Sequence, residues 1–264
     1  MHIRLAAGLR YRFMQSELTN KITYKIIPPS DYDAAKKLIA NAFIDYPYFT
    51  ALFDKLNKSD PAANAPSQAA PTTNAPSQAA PTRTLEIMQT SRAYKALLAI
   101  ASMNIWNAAK CGAAYGGYID GRLICAGLLC DGSKSNKNLF GMLGAGGISL
   151  IRYAGIKITR MAIDFDKQGQ NGFYKTEQTL RKPYWYMPYL AVARDMQGGG
   201  IGSAFISEGL IPYLRTQQAN DFILFTNTDR DFKFYEKNGF SLLCSDTLKS
   251  HGARVSCWNF VYRL

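Results

Sequence analysis

Residues 189–203 read YLAVARDMQGGGIGS, an apolar stretch running into a turn in which four of the five residues from 198 to 202 are glycine. Glycine at that density strips side-chain cover from the backbone, and it is conformationally costly unless positive φ or close approach is needed. Where such a turn opens a helix, main-chain N–H groups point outward, and with the helix dipole they form a seat for phosphate. The spacing narrows the ligand. A triphosphate-binding loop carries Lys followed by Ser or Thr after its last glycine, whereas Gly202 is followed by Ser203 and Ala204. A dinucleotide fingerprint, G-x-G-x-x-G with an acid about 20 residues on, is met at Gly198, Gly200 and Asp221 but broken at Ser203.

A second segment has its own pattern. Residues 221–227, DFILFTN, read as a short buried strand. Thr228 or Asp229 can cap a helix carrying Phe232, Phe234 and Tyr235, and Gly239 stands where a helix ends before strand-like 240–243. The glycine turn, taken as Gln197-x-x-Gly200-x-Gly202 after Leu190-Ala191-Val192, is followed about 40 residues later by FYEKNGF at 234–240. Together these resemble the two signatures of the GNAT superfamily of acyl-CoA-dependent N-acyltransferases, specifically over residues 185–240 and more loosely elsewhere.

The resemblance implies an α/β (α+β) fold: a mixed, largely antiparallel twisted sheet of about seven strands with helices on both faces. It also implies acetyl transfer from acetyl-CoA to a primary amine of a small molecule or peptide, by direct attack in a ternary complex and without a metal. The diphosphate of CoA would meet the backbone of Gln197, Gly198, Gly199, Gly200, Ile201, Gly202 and Ser203. The pantetheine arm would pair with Leu190, Ala191 and Val192 as an added strand does, with the Val192 amide polarising the thioester carbonyl. Tyr235 would be the general acid that returns a proton to the CoA thiolate. Asn227 would bond the pantetheine amide, although its spacing to Tyr235 is about one residue longer than the family pattern. The first helical hairpin makes Asp45, Tyr46 and Tyr48 candidate acceptor contacts. No carboxylate lies on the strand 185–192, so Glu177, Asp45 and Asp164 remain open as the general base, and Trp185, Tyr186 and Tyr189 as acceptor walls. A second function class, a non-catalytic acyl-CoA-binding regulatory protein, shares the donor site and differs only in turnover.

Composition bounds these readings. The chain has 264 residues and a formal charge of +12, which favours acidic ligands such as CoA. A third class, a basic nucleic-acid-binding protein, has charge in its favour but no recognisable motif. No apolar run reaches the roughly 18 residues of a membrane span; residues 139–151 come nearest and contain four glycines. The five cysteines form no C-x-x-C pair and only two histidines exist, so a zinc site is not expected. An odd cysteine count without a signal peptide predicts free, mostly buried thiols and a cytoplasmic location. Sequence does not choose between a monomer and a homodimer.

Hydrophobic periodicity and turn signals supply the elements that must position the site. Residues 22–27 read as a strand, 30–43 and 48–56 as helices, and 84–110 as a longer helix. Strands at 114–119 and 123–129 flank Asp120-Gly121, a hairpin signal. Helix is expected over 141–165 with breaks at glycine, then strands at 185–192 and 255–262. Pro212 should kink or shorten the helix after the glycine turn. Residues 1–20 form a basic extension and 21–264 a single domain with two insertions. One, at 58–83, holds two copies of a Pro/Ala/Ser/Thr-rich decamer and is expected to be disordered. The other, at about 133–180, is expected to be helical.

Overall fold

The computed structural model describes residues 21–59, 89–134, 139–250 and 253–264. The expected basic extension 1–20, the repeat from residue 60 onward and the loop at His251 and Gly252 lie outside the described residues.

Strand β1 (Thr23–Ile26) leads into helices α1 (Tyr32–Phe43) and α2 (Pro47–Ser59), so α2 takes the first two residues expected of the linker. Helix α3 (Arg92–Cys111) comes next, capped by the Ser91 side chain, which accepts from Tyr94 N–H. It feeds the hairpin β2 (Gly112–Ile119) and β3 (Arg122–Asp131). Asp120 and Gly121 both take positive φ, at 49° and 78°, as a two-residue hairpin turn requires. Between β3 and β4 (Tyr184–Val192) lie a short α4 (Leu139–Met142), a wide turn over Leu143–Gly147 and the long α5 (Ile148–Lys175), broken at Gly155.

After the glycine turn the chain is helical from α6 (Ile201–Ala204), through a π-helical stretch at Phe205–Leu210, to α7 (Ile211–Thr216). Pro212 therefore neither ends the helix nor opens a gap. It falls at the start of the resumed α-helix, where its missing N–H is tolerated, and the widened turn before it absorbs the irregularity. Strand β5 (Asp221–Thr226), helix α8 (Asp229–Lys237), and the hairpin β6 (Ser241–Ser250) and β7 (Ala253–Arg263) complete the chain.

The seven strands form one sheet in the order β1-β2-β3-β4-β5-β7-β6, antiparallel except for β4 beside β5. One face packs α1 and α3 through Ile39, Ile105 and Leu128. The other packs the helix 201–216 and α8 through Phe205, Leu210, Phe222 and Phe260. Each such fully buried side chain contributes about 1.5–3 kcal/mol.

Strand β4 parts from one neighbour and bends on the other. Its parallel pairing with β5 covers only Tyr184↔Asp221, Trp185↔Phe222 and Tyr186↔Ile223. Just beyond, β3 advances from Leu128 to Cys130 while β4 runs from Tyr189 back to Tyr186, so β4 carries an extra residue. That bulge includes Pro188, which has no N–H to give a neighbour, and bulges bend a strand away from its partner. The upper half of β4 stays on β3 and leaves β5, opening a cleft in the sheet.

Candidate active site

Above the bulge, Ala193 N–H donates to the Ile124 carbonyl at 2.8 Å, which turns odd-numbered backbone groups toward β3. Alternation along a strand then aims the polar backbone groups of Leu190 and Val192 at the open edge that β5 has left. The side-chain amide of Gln197 donates to the Val192 carbonyl at 3.0 Å, which occupies that acceptor and leaves the Val192 N–H on the edge.

The edge runs into the turn. Gly198 and Gly200 have φ of 81° and 78°, values that L side chains resist. The first main-chain bond of the following helix is Ala204 N–H to Gly200 carbonyl at 3.0 Å, so the N–H groups of Ile201, Gly202 and Ser203 precede the ladder. A Cβ on Gly202 would sit 3.1 Å from the Phe234 ring, so a side chain there would crowd α8. Arg194, at the mouth of the turn, donates to the Asn41 carbonyl and pairs with Asp45 at 2.8 Å, tying the turn to the end of α1.

A cavity of about 470 Å³ fills the cleft. Leu190, Ala191, Val192, Gln197, Gly198, Gly200, Ile201, Gly202, Ser203, Asn227 and Tyr235 all line it, while Gly199 belongs to the turn but not to the wall. Arg230 and Lys237 add positive charge on the same wall.

Tyr235 lies on α8, whose start is capped by Thr228 accepting from Asp231 N–H at 3.1 Å. It is buried against Phe234 and Phe240. Burial, with the nearby Tyr46 and Asp231, pushes its pKa well above that of an ordinary phenol, so it holds its proton throughout the neutral range. Asn227 gives its side-chain N–H to the Ser256 carbonyl, which leaves its amide oxygen as the free end. Tyr46 braces the floor: its hydroxyl meets Thr226 Oγ1 at 2.9 Å and accepts from Asn227 N–H at 3.0 Å.

No family model and no curated protein matches the sequence. Solved structures do. The putative arylalkylamine N-acetyltransferase 7 of the yellow fever mosquito aligns over 92% of this chain and 87% of its own, with 12% identity and a TM-score of 0.55. The Drosophila melanogaster polyamine N-acetyltransferase covers 92% and 100%, with 11% identity and a TM-score of 0.48. At these identities the likeness is one of architecture, and the mosquito protein together with the split sheet decides it. The chain has the GNAT fold.

Within this GNAT fold several side chains fall elsewhere than expected. Asp45 is taken up by Arg194, and Glu177 pairs with Lys182 at 3.1 Å. Asp164 is exposed and lines neither the cleft nor the cavity under α3 and α5. Trp185 is buried in the core below the cleft and walls no acceptor site. Tyr46 and Tyr48 do reach the cleft, as do Tyr186 and Tyr189.

The cavity under α3 and α5, also of about 470 Å³, shares Tyr48, Phe49, Asp166, Tyr186, Pro188 and Tyr189 with the first. Asp166, on α5, is the carboxylate common to both, and no sequence signal singles it out. One acid at helical spacing on an amphipathic helix reads as solvated surface. Its side chain is accessible, yet protein crowds it enough that desolvation raises its pKa. Among the described residues, no set of three or more His, Cys, Asp and Glu side chains is grouped to hold a metal, and no helix is long and apolar enough to cross a membrane. All five cysteines are free.

Proposed function

We propose that the protein is an acetyl-CoA-dependent N-acetyltransferase acting on a primary amine by direct attack. One observation carries this reading: an open strand edge runs into a helix start where the N–H groups of Ile201, Gly202 and Ser203 precede the ladder, in one cavity that also holds a protonated buried phenol. An extended pantetheine arm needs the edge, a diphosphate needs the turn, and a departing thiolate needs the phenol.

In this reading the N–H groups of Ile201, Gly202 and Ser203 hold the diphosphate, with the Ser203 hydroxyl beside them. Leu190 bonds the pantetheine amide along the open edge, and the Asn227 carboxamide oxygen offers an acceptor from the β5 side. The Val192 N–H faces the thioester carbonyl and stabilises the oxyanion as the amine adds. When the tetrahedral adduct collapses, the C–S bond breaks and the thiolate leaves with the electron pair. Tyr235 supplies the thiolate with a proton and recovers one from the amide nitrogen, so the phenol is restored each turnover.

The test joins two measurements. Acetyl-CoA should raise the melting temperature of the protein, and a panel of amines should contain at least one that elicits CoA thiol release. Stabilisation without thiol release across the panel would instead indicate the regulatory acyl-CoA binder. No stabilisation by CoA or acetyl-CoA would refute both.

A further inference from the structure

We propose that Asp166 receives the acceptor: a singly charged primary amine with an apolar or aromatic body, admitted through the second cavity. The proposal rests on the acetyltransferase reading and adds the base and substrate class.

Three observations converge on Asp166. The two cavities meet at it, so it faces the donor groove from one side and open space from the other. Its carboxylate accepts from Gln170 Nε2 at 2.8 Å, and among the described residues no cation pairs with it. A carboxylate that meets open cavity and has no cation among the described residues is free to receive an ammonium. Beside it, Tyr186 also lines both cavities, and its hydroxyl is buried with no hydrogen-bond partner, so it has a donor and an acceptor to spare.

The walls specify the rest of the ligand. Phe49, Ile100, Met103, Leu150 and Phe173 line the second cavity and suit an apolar body. Its other carboxylate, Asp131, is committed: one oxygen accepts from Ser133 N–H and Oγ at 2.9 and 2.7 Å, and the other pairs with Lys134 at 3.6 Å. Lys167 stands on the same wall, so a second positive charge on the ligand would find a cation and no uncommitted anion. A monoamine fits and a polyamine does not.

The proton balance closes. The ammonium gives one proton to the Asp166 carboxylate, and its freed lone pair forms the C–N bond. The second amine proton goes to Tyr235 after the phenol has protonated the thiolate. Asp166 releases its proton to water when the amide leaves, so one ammonium and one thioester yield one amide, one thiol and one proton. The groups facing Asp166 are Tyr48 from α2, Cys130 from β3, Tyr186 and Tyr189 from β4, and Lys167 and Gln170 on its own helix.

Wild-type protein is first shown to bind CoA and to turn over an amine; failure there refutes the acetyltransferase reading itself. Asp166→Asn is then compared on 2-phenylethylamine and on its 2,2-difluoro analogue, which has nearly the same shape but a much less basic nitrogen. The variant should bind CoA as the wild type does and melt close to it, since Asp166 has no ion pair among the described residues to lose. Its kcat/KM should fall at least about 100-fold on phenylethylamine and markedly less on the analogue, and its acid limb should vanish. Equal losses on both amines, or none, would overturn the assignment. Should the variant not fold, wild-type selectivity decides: phenylethylamine should exceed putrescine by about tenfold or more in kcat/KM. The reverse preference overturns the proposal.

Discussion

Gln197 and Val192 are joined side chain to main chain: the Gln197 amide reaches back across the turn and donates to the Val192 carbonyl at 3.0 Å. The bond sets the angle at which the strand edge enters the glycine turn. It also leaves Val192 with one free polar group, the N–H. Removing the bond should loosen the turn by about 1 kcal/mol. Gln197→Ala is therefore expected to raise the KM for acetyl-CoA about fivefold with kcat little changed. Gly202→Val should be far worse, because a Cβ there would meet Phe234 at 3.1 Å and the branches would crowd the proposed diphosphate site. Isothermal titration with CoA on both variants checks the order.

Tyr235→Phe keeps the ring and its packing against Phe240 and removes only the proton donor. Chemistry should slow by about 100-fold or more while CoA affinity holds. The raised pKa means that deprotonation of Tyr235 lies above the neutral range, so the wild-type rate should show no alkaline loss between pH 7 and 9 from this group. A pH profile that falls on the alkaline side in the wild type and persists in the variant would assign that limb elsewhere.

Asp221 anchors the start of β5, the point where that strand still pairs with β4. Fully buried, it accepts from Arg181 N–H at 2.7 Å and Nε at 2.9 Å and pairs with the Arg263 guanidinium. Asp221→Ala leaves two arginines facing a void, but each remains partly in water. A loss of about 3 kcal/mol, toward the low end for a broken buried pair, should lower Tm by roughly 10 °C. Calorimetry in excess CoA measures it directly.

Burial pushes the thiols of Cys125, Cys130 and Cys257 up to about 12. A raised thiol pKa depletes the reactive thiolate, to about one part in ten thousand at pH 8. Ellman's reagent should therefore find no more than two fast thiols in the native protein and five in denaturant. Three or more fast thiols under native conditions would show that the cysteines are less enclosed than the packing indicates.

The glycine turn was readable in sequence because its constraint is local: only glycine fills positive φ at 198 and 200, and no distant residue is needed to see it. The β2–β3 hairpin was readable for the same reason at Asp120-Gly121. Strand β6 runs farther than its short apolar start suggested. It is an edge strand that pairs only with β7, so its polar residues carry no alternation to read. Pro212 looked like a break because the wide turn that accommodates it has no sequence pattern. Asp166 was invisible for a different reason. Its neighbours Tyr48, Tyr186 and Tyr189 come from α2 and β4, and nothing local on α5 distinguishes it from the solvated acids around it.

The three-residue seam between β4 and β5 has a consequence for the protein's life in a cell. Two wings of sheet meet along so short a line that whatever lodges in the gap is stitched to both. At a hundred times its dissociation constant such a guest adds about 2.7 kcal/mol by mass action. With acetyl-CoA as the proposed guest, durability would track the supply of thioester, and the starved form would be the one that proteases reach first.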